Sequence, residues 1–92
     1  MSYVIASAQG EVGFLASVQG LNDVVDFVER VTKRGPLTEF LETGQTENIP
    51  EVIKELGLLI PYATNLDVKA TLTVLRNNLE KAQPNGWAMI SE

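Results

Sequence analysis

Ile5-Ala6-Ser7-Ala8-Gln9-Gly10 recurs ten residues later as Leu15-Ala16-Ser17-Val18-Gln19-Gly20, and the way this echo folds decides the architecture. As strands, Tyr3 to Ala8 and Val12 to Val18 form a hairpin whose Gln-Gly pairs mark where each strand stops. Val12, Phe14, Ala16 and Val18 then alternate onto one face, as β-branched and aromatic residues do on a half-buried sheet. As a helix, Ala6, Gly10, Gly13, Ser17 and Gly20 make a stripe of small residues that lets a second helix approach closely. Energetics favour the hairpin, because glycines inside a helix cost about 1 kcal/mol each relative to alanine. At strand ends and turns the same glycines are cheap or required.

From Leu21 onward the pattern is helical. Asn22 reads as an N-cap followed by Asp23 and Asp26, and Val24, Phe27, Val28 and Val31 form an amphipathic stripe. Lys33-Arg34-Gly35-Pro36 closes that helix with cations, a glycine and a helix-breaking proline. Pro36 opens a shorter helix through Leu37, Phe40 and Leu41 to Glu42, and Thr43 to Thr46 reads as a loop. Asn48 caps a third helix carrying Pro50 in its first turn and Ile49, Val52, Ile53 and Leu56 as its apolar face. Leu58-Leu59-Ile60 is solidly apolar and is expected to be buried. A last helix begins near Asn65 or Asp67, with Val68, Leu72, Leu75 and Leu79 facing the core. Gln83-Pro84-Asn85-Gly86 is a turn, and Trp87 to Ile90 a strand able to pair with the N-terminal one. The expected fold is therefore α+β: a small antiparallel sheet, made of the N-terminal hairpin and the C-terminal strand, packed against three to four helices. An all-α bundle is the alternative.

At 92 residues the chain has room for one domain, spanning 1–92. It has neither Cys nor His. Disulfides, thiolate metal sites, thiol nucleophiles, imidazole-ligated metals and His-based acid–base catalysis all drop out with them. Seven Lys and Arg against twelve Asp and Glu leave a net charge of −5, which argues against nucleic acid and anionic membranes as partners. Lys33-Arg34, the one basic pair, reads as a complement to the negative end of a helix dipole. Met1 to Val18 lacks the cationic start of a signal peptide and is broken by Gln9, Gly10 and Glu11, so the expected location is cytoplasmic.

Carboxylates are the remaining candidates for chemistry. Asp23, Asp26 and Glu29 lie three apart, and Glu47, Glu51 and Glu55 four apart. Neither set has the alternating spacing and central glycine of a calcium loop, and both read as solvated helix faces. Gly10-Glu11-Val12-Gly13 lacks the Lys-Ser/Thr of a phosphate loop and reads as a turn. Ser7 and Ser17 have no adjacent base to activate them. No cofactor is implied.

Two aromatic residues stand out as candidate partner contacts. Tyr62 follows Pro61 in a connection, where it either packs over a helix end or faces a partner. Trp87, the sole tryptophan, is either a core anchor or an interface residue. The mid-helix Asn77-Asn78 pair reads as exposed, with hydrogen bonding to a partner as the alternative. The functional expectation is a non-catalytic protein–protein interaction module acting as an accessory, adaptor or inhibitor, with Tyr62 and Trp87 at its contact surface. High apolar content and unavoidable strand edges point to self-association as a homo-oligomer, a homodimer or larger. The alternative is a small-ligand-binding or minor catalytic subunit using carboxylates and Tyr62.

Overall fold

Strands β1 (Ser2–Ser7) and β2 (Gly10–Ser17) pair antiparallel in the computed structural model, which describes residues 2–92. The connection is Ala8-Gln9, and Gly10 closes it at φ +108°, a conformation that a side chain would strain. Ser7 Oγ accepts from the Gln9 amide at 3.3 Å and from Asn85 Nδ2 at 3.0 Å, tying the hairpin to the turn that precedes the C-terminus.

The strict alternation expected for β2 fails, and its register shows why. Tyr3 faces Ala16 and Val4 faces Phe14, which leaves Leu15 as an extra residue; Ile5 faces Gly13 and Ala6 faces Glu11, which leaves Val12 extra. Two bulges thus re-aim the side chains. Leu15 and Ala16 are both buried while Phe14 stands 60% exposed. Asn78 occupies the distorted backbone, donating from Nδ2 to the Phe14 carbonyl at 2.9 Å. Its Oδ1 lies only 2.7 Å from where a Cβ on Gly13 would sit, so the glycine makes room for the amide. Asn78 is buried and bonded within its own chain, not offered to a partner.

Strand β3 (Gln45–Thr46) and strand β4 (Ala88–Ser91) complete a sheet of order β2-β1-β4-β3. The C-terminal strand pairs antiparallel with β1, as expected, and β3 forms inside the segment read as a loop. Two residues carry no periodicity, so β3 arises from its position beside β4, where Ile90 N donates to the Gly44 carbonyl at 2.7 Å.

Helix α1 (Val18–Val31) is capped by Ser17, five residues before Asn22, and the Ser17 Oγ accepts from Gly20 N at 3.1 Å. Serine is as good a cap as asparagine and stands where β2 ends, so the second Gln-Gly pair lies in a first helical turn. Helices α2 (Pro36–Thr43), α3 (Ile49–Leu59) and α4 (Leu66–Ala82) follow the expected sequence. Gly57 stays within α3. Asn65 caps α4, its Oδ1 accepting from Asp67 N at 2.8 Å and Val68 N at 3.2 Å. Helices α1 and α4 pack on β1 and β2, and α3 joins α2 to α4. Most of the expected stripe residues are buried: Val24, Phe27 and Val28; Ile49, Val52 and Leu56; Val68, Leu72, Leu75 and Leu79; but Ile53 is half-buried and Val31, in the last turn of α1, is exposed.

The start of α2 is held by another helix. Its N-cap, Gly35, has no side chain to offer, and Glu55 of α3 supplies the missing acceptor, taking the Leu37 amide on Oε2 at 3.1 Å. A carboxylate beside unpaired helical N–H groups gains from the local dipole. Glu55→Ala is expected to lower stability by about 1 kcal/mol, with Glu55→Gln intermediate, as read from urea melts. Equal costs for both variants would leave the charge without a role.

Candidate interaction surface

The last turn of α3, the connection after it and the first residue of α4 each expose a large apolar side chain. Leu58 is 64% exposed, Tyr62 72% and Leu66 81%. Core demand on α3 is met by Val52, Leu56 and Leu59, and Leu58 lies about 100° around the helix from Leu59. The expectation that all of Leu58-Leu59-Ile60 is buried is therefore corrected: Leu59 is buried, Ile60 half-buried and Leu58 exposed. Pro61 ends the α-helical run in a short 3-10 turn, Ile60–Tyr62, closed by Ala63 N donating to Ile60 O at 3.1 Å. Buried Ala63 and the Asn65 cap then fix the entry to α4. Tyr62 is thus held outward on ordered backbone and does not pack over a helix end.

Trp87 lies on another part of the surface. Gly86, at φ +72°, ends a 3-10 turn (Gln83–Asn85) and swings the chain into β4, leaving Trp87 half-buried at the strand's entrance. The indole lines a cleft of about 600 Å³ shared with Arg34, Phe40, Thr46 and Glu47. Arg34 at its rim grips Glu42 through two parallel bonds, Nη1–Oε1 at 2.9 Å and Nη2–Oε2 at 2.7 Å. Hydrogen bonding to Arg34 holds the Glu42 carboxyl below its ordinary value, and the same bond raises Arg34. A carboxylate with a depressed pKa in the folded state adds stability above its unfolded value and loses it as pH falls through the folded one. In an NMR titration Glu42 should therefore have a midpoint below ordinary glutamate, and Arg34→Gln should move it up. An unchanged midpoint would dissolve the pair in solution.

A second concavity, about 470 Å³, runs between the end of β2, the first turns of α1 and one side of α4. Its lining combines apolar and small residues, among them Phe14, Ala16, Gly20, Ala70 and Val74, with the polar Ser17, Gln19 and Thr71, and its only charged lining residues are Asp23 and Asp67. Phe14 and Val74 are both exposed.

Asp23 and Asp67 share the second concavity, and Glu39 and Glu47 line the first. Among the described residues no three acidic side chains are placed to share a metal ion. Asp23 accepts from Gln19 Nε2 at 2.9 Å, Glu55 serves α2, and Glu51 is exposed. Tyr62 lines neither concavity and so is not brought to a carboxylate in either of them. Sequence reasoning missed Leu58, Leu66 and Phe14. Leu66 had a usable signal, since it stands outside the Val68-Leu72-Leu75-Leu79 stripe. The chain matches no known protein-family model, no curated protein and no solved structure. Among the described residues no helix is long and apolar enough to cross a membrane.

Proposed function

We propose that this protein is a non-catalytic interaction module that docks on a protein partner through Tyr62, Leu58 and Leu66, with Trp87 as a second contact. The observation that carries this reading is that three large apolar residues within nine positions of the chain, Leu58 at the end of α3, Tyr62 in the turn and Leu66 at the start of α4, are all more than half exposed. Isolated exposed apolar side chains are ordinary on any surface, whereas several at one place mark a contact region. Tyrosine suits such a site because it brings large area at low entropic cost. The partner is a protein and not nucleic acid or membrane, in keeping with the net charge of −5. Self-association as a homodimer belongs to the same reading. A ligand-binding or catalytic subunit built on carboxylates and Tyr62 is less well supported, because Tyr62 lines neither concavity and so stands apart from the carboxylates there.

The test is affinity capture from the native host followed by measured binding of the purified partner. Tyr62→Ser should weaken that binding while a carboxylate substitution at Asp26 or Glu51 leaves it nearly unchanged. The reverse ranking would overturn the assignment of the surface.

A further inference from the structure

We propose that the acidic concavity between α1 and α4 receives the last turn of α1 from a second copy of the chain, in a two-fold dimer with the two α1 helices antiparallel. This rests on the self-association part of the reading above and uses a surface separate from Tyr62.

Charge complementarity identifies the occupant. The concavity offers a largely apolar lining and two carboxylates, Asp23 and Asp67, with no cation among its lining residues. A fitting guest therefore has aliphatic length and a positive end, which describes arginine and lysine laid along apolar surface. The chain carries such a guest: three of its seven Lys and Arg fall within Arg30 to Arg34. Arg34 is engaged with Glu42. Arg30 and Lys33 are exposed. Arg30 gives only its Nε to the Asp26 carbonyl, at 3.2 Å, so its terminal nitrogens remain free for a carboxylate. Among the described residues the ion pairs are Arg34–Glu42 and Arg76–Glu80, and none of these residues forms an ion pair with Asp23, Asp67, Arg30 or Lys33.

Helix geometry makes the contact reciprocal. Asp23 and Arg30 are two turns apart on one ridge of α1, separated by about 10 Å along the axis, too far to pair with each other. When two α1 ridges run antiparallel about an axis between positions 26 and 27, Asp23 of each copy meets Arg30 of the other. Lys33 lies beyond the extended C-cap Thr32 and adds positive charge at the same end of the helix. Both contacts are the same by symmetry, as an isologous interface requires.

Light scattering after gel filtration at high micromolar protein should give about twice the 10.1 kDa chain mass at low salt. The mass should fall toward the monomer at molar salt, where exposed charges are screened. Asp23→Lys and Arg30→Glu should each be monomeric alone, because each breaks both symmetric contacts. Mixed in equal amounts they should form a heterodimer, since one contact is then native and the other is restored with its charges exchanged. Circular dichroism confirms that each variant is folded. A wild-type monomer at low salt overturns the proposal. So does a dimer indifferent to both salt and charge reversal, or a mixture that stays monomeric. Each of these results leaves docking through Tyr62 standing, because that surface is tested with a different partner and different variants.

Discussion

Gly13→Ala is expected to destabilise the fold by about 2–3 kcal/mol, although alanine is ordinarily the better residue inside a strand. The new Cβ would lie 2.7 Å from Asn78 Oδ1, a distance that forces one of them to move. Asn78 is 6% exposed and rooted in α4, so the amide has nowhere to swing without releasing the Phe14 carbonyl. A buried acceptor left unpaired costs about 1–3 kcal/mol, and the overpacking adds a similar amount. A chain of this size has a total stability of about 5–10 kcal/mol, and its midpoint shifts by about 4–8 °C per kcal/mol, so a drop of roughly 10 °C or more is expected. The double variant Gly13→Ala/Asn78→Ala separates the causes. Once the amide is gone the Cβ has space, and the two substitutions should cost clearly less together than the sum of their separate costs. Strict additivity would show that the clash is not what makes Gly13 necessary.

That contact also marks where sequence reading stopped. Local chemistry made the hairpin legible: Gln9-Gly10 as a turn, with Tyr3 to Ala8 before it. The helical stripes were equally plain, because Val68, Leu72, Leu75 and Leu79 need only a period of about 3.6 residues to be recognised. Three features were hidden because each depends on a partner distant in the chain. The bulges at Leu15 and Val12 follow from pairing with β1, so no pattern within β2 announces them. Strand β3 is two residues long and exists through β4. Glu55 looks like one of three evenly spaced carboxylates until α2 is folded against it. Ser17 is different in kind. It was a legible cap, overlooked because the echo suggested that both Gln-Gly pairs end strands. At the surface the legible part was Tyr62, flagged by its place after Pro61. Leu58 was masked by the apolar run around it, where only the direction of α3 decides which of three consecutive residues turns inward.

Tyr62→Ser should weaken partner binding about 30-fold or more, the effect of losing about 2 kcal/mol at an interface hot spot. Leu58→Ser and Leu66→Ser should act in the same direction with smaller effects, since leucine is less often a hot spot than tyrosine. None of the three should disturb the fold, because each side chain is already more than half exposed and gives up little burial when shortened. Trp87 demands a gentler probe. It is half-buried where β4 begins, so Trp87→Ala would mix lost binding with lost packing, and Trp87→Phe with a parallel thermal melt keeps the two apart. Carboxylates supply the contrast. Asp26 and Glu51 are exposed, and each is worth under about 1 kcal/mol as a solvated charge, so Asp26→Asn and Glu51→Gln should change affinity less than about fivefold. A module that works by docking depends on area spread over several residues, and no single ionisable group is indispensable to it. If one carboxylate variant stayed folded, kept its partner and still lost all biological activity, the protein would be doing chemistry or holding a metal, and the docking assignment would fail.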